Sequence, residues 1–443
     1  MADNDRVADF APAGGPAATL AQKVIARAAG LSHVEPGDLA TVAVDLAFAH
    51  DSSGPRRWAP ALKELGAKPW DPDKIAIVSD HYVPAVDSES AGILQLTRQF
   101  AAAHGVNRFY DMIGICHLVL PEHGIIRPGA FIAGGDSHTP TAGAFGAIAM
   151  GFGATDMLAV VVTGKTWVVV PETVVVDIRS QFGAGVAAKD VMLNLCRVLG
   201  LENGGKIVEY TGETVRGLSM GERMVLTNMA AELGFDTGVI APDATTFAYL
   251  AARGAPVLDE AAALALATDA TAPIAARHIL DASALQPQIA APHSPGNSGD
   301  IAAYAGITID QAYIGACVGA KIEDLRMAAE VLRGRRVAPG VRLLIAPASQ
   351  ATLTQATKEG VMTHLLEAGA TMMASGCGAC AGMGAGILAP GETCISSTNR
   401  NFKGRMGDDE AFVYLGSPYS VAAAAVAGRI VDPREMLAQE VAA

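Results

Sequence analysis

Gly129-Ala130-Phe131-Ile132-Ala133-Gly134-Gly135-Asp136-Ser137-His138-Thr139 is a short apolar run that stops abruptly in polar residues. An apolar stretch of this length, bounded by glycine, reads as a strand buried on both faces. In parallel α/β sheets ligands sit beyond the carboxyl ends of the strands, so the residues that follow mark a candidate site. Three upstream runs repeat the pattern. Thr41–Ala49 ends in His50-Asp51-Ser52-Ser53, Lys74–Ser79 in Asp80-His81, and Asp111–Cys116 in His117. One histidine at a strand end is ordinarily a satisfied loop residue. Here four of the chain's ten histidines share that position, three of them with an aspartate on the same loop. The pattern predicts an α/β protein whose strand ends converge on one crevice.

A second polar region runs from Met372 to Gly407. It places Cys377 and Cys380 three apart in a glycine-rich loop and adds Arg400 and Arg405 some twenty residues on. Two thiolates beside two guanidinium groups suggest a soft metal centre next to an anion such as a carboxylate. A third thiol, Cys317, lies in Tyr-Ile-Gly-Ala-Cys-Val-Gly-Ala, between an apolar run and a helix. Three cysteines from two loops, with no fourth in matching context, fit an iron–sulfur cluster with one open iron. A structural zinc site on the same cysteines is the rival. Gly217–Gly234 reads as a helix opened by a serine cap, with Asn228 and Glu232 four apart on one face. That pair could be a solvated helix edge, but the surrounding Met-Ala-Ala and Leu-Gly are apolar enough to bury Glu232, which would then need a partner.

The totals bound these readings. The chain has 443 residues, 51% hydrophobic and 17% charged, so it buries a great deal and exceeds one ordinary core. A net charge of −13 without any lysine or arginine run disfavours nucleic acid. The apolar stretch Ala142–Gly164 contains Asp156 and several glycines, which favours a buried helix and strand over a membrane span. Six cysteines make no disulfide framework, and the acidic N-terminus, Met1-Ala-Asp-Asn-Asp-Arg, lacks the pattern of a signal peptide. A reducing, cytoplasmic setting is therefore expected. The expected organisation is a loose tail over 1–17, α/β domains over 18–178, 179–285 and 300–443, and a proline-containing linker over 286–299.

Gly-Asp-Ser-His-Thr at 135–139, Asn-Met-Ala-Ala-Glu-Leu-Gly at 228–234, Cys-x-x-Cys at 377–380 and Asn-Arg-Asn-Phe-Lys-Gly-Arg at 399–405 together resemble the aconitase superfamily. More narrowly, the chain is similar to large subunits of 3-isopropylmalate dehydratase, in the dimethylmalate-dehydratase-like branch. The resemblance covers about residues 18 to 435. It implies three α/β domains around a cleft and a [4Fe–4S] cluster on Cys317, Cys377 and Cys380. By the same resemblance His81, beside Asp80, protonates a departing hydroxyl, His117 pairs with Asp136, and His138 pairs with Glu232. Arg400 and Arg405 clamp carboxylates, with Asn228 and Asn399 near the cluster and His50, Asp51, Ser53 and Ser137 on the substrate side. The implied activity is reversible dehydration or isomerisation of a 2-hydroxy dicarboxylic acid of the 3-isopropylmalate type, a step of leucine biosynthesis. Hydration of a small unsaturated diacid (dimethylmaleate, citraconate or maleate) is an alternative. So is a catalytically degenerate cluster-binding subunit, because Ala316-Cys317-Val318-Gly319-Ala320 departs from the family's Ser-Cys-Thr-Asn. The resemblance also implies a serine base on a separate swivelling domain. With the chain stopping at Ala443 soon after an Ala-rich helix, a small partner subunit is expected to supply that serine in a heterodimer.

Overall fold

In the computed structural model, residues 16–256 and 258–440 are described. The expected tail over 1–17 lies, but for its last two residues, outside them. The first helix, Leu20–Ala29, is closed at its start by a capping box between Thr19 and Gln22 and at its end by Gly30 in the left-handed region.

Strands β1 (Leu39–Ala43), β2 (Leu46–His50), β3 (Ile75–Ser79), β4 (Arg108–Asp111), β5 (Phe131–Gly134), β6 (Ile148–Gly151) and β7 (Lys165–Val169) follow. β2 to β6 form a five-stranded parallel sheet in the order β4-β3-β2-β5-β6, while β1 and β7 pair separately as an antiparallel ribbon. The chain enters the sheet at β2, builds outward through β3 and β4, then returns to build the other side from β5. This reversal between β2 and β5 is a topological switch point, where ligand crevices form in such sheets. His50, Asp80-His81 and Asp136-Ser137-His138 lie at the carboxyl ends of β2, β3 and β5 beside it.

β8 (Glu172–Arg179), β9 (Lys206–Thr211), β10 (Thr237–Val239) and β11 (Ala276–Asp281) make a second, parallel sheet in the order β10-β9-β8-β11. The third sheet comprises β12 (Gln288–Ala290), β13 (Ser298–Asp300), β14 (Gln311–Ile314), β15 (Arg342–Ile345), β16 (Thr371–Met372), β17 (Thr393–Ser396) and β18 (Phe412–Leu415). Its order is β13-β12-β18-β17-β14-β15-β16, parallel from β18 to β16 and antiparallel at β12 and β13. The fold is α/β, as expected.

Several local readings change. Thr41–Ala49 is two strands, because its first part pairs with β7 and its second with β3 and β5; at the break the Asp45 carboxylate accepts from the Phe131 backbone N–H and pairs with Arg27. Asp111–Cys116 is not a strand. β4 ends at Asp111, the chain bends through Met112 (φ 61°) and Gly114 (φ 144°), and a helix, Cys116–Glu122, delivers His117. β7 and β8 are separated at Pro171, which has no N–H for a ladder. The helix Ser88–His104 is capped by Asp87. The helix after Ser219 ends at Asn228, so Glu232 sits in the turns beyond it. The 286–299 stretch, expected as a linker, carries β12 and the start of β13. It is bound into the third sheet by the Ala290–Leu415 pairing and by the Gln288 N–H on buried Asp190.

The three sheets share their cores. One buried cluster joins Val208, Met229 and Leu233 to Tyr313, Cys394 and Leu415, so the second and third sheets pack as one body. Another joins Phe48, Val78 and Cys116 of the first sheet's side to Met224, Cys317 and Ala348.

Candidate active site

The first sheet contributes a network of imidazoles and carboxylates. Asp51 is fully buried and accepts from the backbone N–H groups of Ser52, His81 and Tyr82 at 3.0–3.1 Å, which fixes the two loops against each other. Asp80, also fully buried, holds His81 Nδ1 at 2.7 Å and accepts the Cys116 N–H at 2.7 Å. The Asp80 carbonyl in turn accepts the Cys377 N–H at 2.9 Å. His50 stacks on His81 with ring centroids 3.7 Å apart and reaches Asp136 Oδ2 at 3.4 Å. Asp136 Oδ1 takes His117 Nε2 at 2.7 Å and the His138 N–H at 2.8 Å. His138 Nε2 meets Glu232 Oε1 at 2.9 Å, and Arg400 Nε donates to the same oxygen at 2.7 Å. Ser53 Oγ is buried without a partner, whereas Ser137 is exposed on the loop between Asp136 and His138. A side chain at Gly135 would press on Ser53 Oγ, so this glycine permits the approach of the two loops.

The thiols stand on the other wall. Cys317 opens from the short helix Ala316–Gly319 after β14, with Ala316 held at φ 69°. Asn228 Nδ2 donates to Cys317 Sγ at 3.1 Å and to Thr141 Oγ1 at 2.8 Å, and Asn399 donates to Asn228 Oδ1. Cys377 and Cys380 lie in the tight loop after β16, where the Cys380 N–H bonds the Cys377 carbonyl. Arg400 and Arg405 lie near Cys380, and Arg405 Nε is buried without a partner.

Charge arrangement separates these groups by role. Burial works against charge on His81, but Asp80 outweighs it and raises the imidazole to about 9. His138 is likewise raised by Glu232 against burial. Burial would push Asp136 up, yet His117 and the other imidazoles hold it well below the usual carboxylate range. Asp51 is raised, by burial first and then by Asp80. Burial pushes Cys317 to about 12, with Cys380 adding to it, and raises Cys377 and Cys380 as well. Such thiols become thiolates only with a compensating cation.

The three thiols are spread more widely than the ligands of one zinc ion. Around tetrahedral zinc, sulfurs stand about 4 Å apart. His50, Asp51, Asp80 and His81 offer ligand atoms all within 4.8 Å of one another, as do His117, Asp136 and His138. Among the described residues the three thiols form no such tight group. They still lie close enough for Cys380 to raise Cys317, and for Cys380 and Cys317 to raise Cys377.

The contacts above join residues that were singled out in the sequence: Asp51, Asp80 and His81 with His50, Asp136 with His117 and His138, Glu232 with Arg400, and Cys317 with Asn228 and Asn399. Two that were not are Thr141, which holds Asn228, and Lys189, buried on the helix Ala188–Val198 with Nζ 2.6 Å from the Thr398 carbonyl. Neither carries a local signal, because a lysine on a helix reads as surface. Burial lowers Lys189 to about 8, with Glu232 opposing.

The profile of the Aconitase family (aconitate hydratase) matches residues 22–306 and 299–428. The chain is 44% identical over 426 residues to "3-isopropylmalate dehydratase large subunit 1" of Methanopyrus kandleri, covering 95% of this chain and 99% of that one. It is 41% identical to "3-isopropylmalate dehydratase large subunit 1" of Pyrococcus furiosus, over 95% and 99% of the two chains. It is 40% identical to "Methanogen homoaconitase large subunit" of Methanocaldococcus jannaschii, over 94% and 99%. The chain belongs to the aconitase family of hydro-lyases. Within that family it stands with the large subunits of the isopropylmalate dehydratase and homoaconitase type.

Proposed function

We propose that this chain is the cluster-bearing large subunit of a hydro-lyase that reversibly dehydrates and isomerises a 2-hydroxy dicarboxylic acid of the 3-isopropylmalate type. The observation that carries the reading is the meeting, at one switch-point crevice, of three thiols from two loops with the Asp80–His81, Asp136–His117 and Glu232–His138 pairs. A [4Fe–4S] cluster on Cys317, Cys377 and Cys380, when bound, would supply a Lewis acid for the substrate hydroxyl and one carboxylate. His81, kept protonated by Asp80, gives its proton from Nε2 to the departing hydroxyl. Asp136 and Glu232 orient His117 and His138 and hold their protons at Nε2. Arg400, steadied by Glu232, and Arg405 bind the carboxylates. Asn228 and Asn399 secure the Cys317 side of the crevice. The C–H proton goes to a serine on a small swivelling partner subunit, in keeping with the "large subunit" names of the relatives. The six cysteines, all free, suit a reducing cytoplasm.

The test is anaerobic reconstitution with iron and sulfide, followed by assay on a diacid panel with and without the neighbouring gene product. A brown protein that turns over isopropylmalate only with its partner is expected. A colourless zinc protein, or turnover of dimethylmaleate, citraconate or maleate alone, would sink the reading.

A further inference from the structure

Most buried charges in this chain have an obvious counter-ion. Arg223 is paired with Asp243 at 2.7 Å, and Lys321 with Asp324 at 2.7 Å. Lys189 differs. It is 2% exposed, and among the described residues its ammonium makes no ion pair. It donates to the Thr398 carbonyl at 2.6 Å. A buried ammonium without a carboxylate is costly, so a hydrogen bond alone is a poor reason to keep one.

The place of Thr398 supplies a reason. β17 ends at Ser396, the Ser397 N–H makes a last bond to the Tyr313 carbonyl of β14 at 3.0 Å, and Thr398-Asn399-Arg400 continues beyond the strand. Ser397 bonds the Gly315 N–H and Gly319 carbonyl on either side of Cys317, at 3.1 and 3.0 Å. Asn399 bonds Asn228, and Arg400 reaches Glu232. Thr398 lies between these contacts, and Lys189 comes to it from the helix Ala188–Val198, more than two hundred residues earlier in the chain. Lys321 does the same for the Cys317 helix, donating to the Val318 carbonyl at 2.6 Å.

We infer that Lys189 is a positioning residue: its ammonium pins the Thr398 carbonyl and thereby sets where Asn399 and Arg400 enter the crevice. The ammonium has no carboxylate at ion-pair distance, and Glu232, Cys380, Cys196 and Asp190 act on it from further away, which leaves room for the charge of a bound dicarboxylate. The second half of this inference rests on the function proposed above, and the first does not.

The experiment uses the full chain without cluster, in anaerobic buffer, and then the reconstituted enzyme with its partner. Lys189→Met removes charge and donor at similar length, while Lys189→Gln keeps a donor. Hydrogen exchange by mass spectrometry should rise at least tenfold in the peptide spanning 396–406 of Lys189→Met and rise less in Lys189→Gln, with the helix Met220–Asn228 unchanged. In the reconstituted enzyme, Lys189→Met should raise KM for the diacid at least tenfold and lower kcat less, and combining it with Arg400→Lys should add little further loss. Unchanged exchange over 396–406, or protection lost uniformly along the chain, overturns the positioning role. If Lys189→Met does not fold, faster exchange over 396–406 in Lys189→Gln supports that role and unchanged exchange overturns it. Wild-type chain inactive on every diacid would count against the proposed function while leaving the exchange result standing.

Discussion

Asp80 and His81 show how adjacent residues divide their tasks. Asp80 points into the protein, tied to Cys116 and His81, and so remains a carboxylate at 0% exposure. Because His81 is raised from 6.5 to about 9, its pairing favours the folded state fully below pH 6.5 and ceases to do so as pH rises through about 9. Asp80→Asn should flatten the loss of stability between those values, read from urea unfolding of the cluster-free chain at pH 6 and pH 9.5. In the active enzyme the same change should cut kcat on the order of 10²-fold and move the alkaline limb of the pH profile down from about 9. A limb that stays in place would take His81 out of the proton-donor role. Arg405 offers a second test at this scale. Its buried, unpartnered Nε suits a planar carboxylate, which lysine cannot grip in the same way. Arg405→Lys should cost about 2–4 kcal/mol in transition-state binding, measured as kcat/KM.

Loops, more than strands, distinguish the elements of this site. Cys317 leaves β14 through a residue at positive φ, and Cys377 and Cys380 leave β16 through a loop closed on Asp80. Serine at any of these three should abolish the brown chromophore of the reconstituted chain. Serine at Cys196 or Cys394, both buried among apolar neighbours, should leave it. Cys116→Ser should also retain colour, although its backbone holds Asp80. A full cluster in Cys317→Ser would overturn the ligand assignment. The loop after β5 depends on backbone approach. A Cβ at Gly134 would run into Thr139 Oγ1 and the Phe48 ring, so Gly134→Ala should destabilise the chain by ~1–3 kcal/mol in chemical denaturation.

At the scale of the whole molecule, the crevice is walled by the first sheet's loops on one side and by the cysteine and arginine loops on the other. His81, His117 and His138 are each committed to a carboxylate and His50 is stacked on His81, so none of these four imidazoles is spare for the C–H proton. Co-purification with the neighbouring gene product should therefore raise turnover of the diacid by several orders of magnitude over this chain alone. Substantial turnover without it would require a base within this chain.

Much of this was legible in the linear sequence because the relevant signals are local. An apolar run that stops at Asp-Ser-His must end its strand there, and Cys-x-x-Cys among glycines must be a loop, whatever surrounds them. The boundaries that went astray depended on distant partners. Thr41–Ala49 breaks in two because β7 takes its first part and β3 and β5 its second, 286–299 is sheet because Leu415 and Asp190 receive it, and Met112 and Gly114 turn the chain so that a helix, not a strand, presents His117. Lys189 belongs to the same class. A helical lysine carries no mark of burial, and only the packing of the second sheet against the third turns it toward Thr398. The sequence by itself determined which chemical groups this protein has and at which strand ends they lie. The pairing of carboxylates with imidazoles was legible only through the resemblance to a family; physically it is decided by tertiary structure, since the bonds of Glu232 to His138 and Arg400, at 2.9 and 2.7 Å across 94 and 168 positions, exist only once the separate parts of the chain have packed.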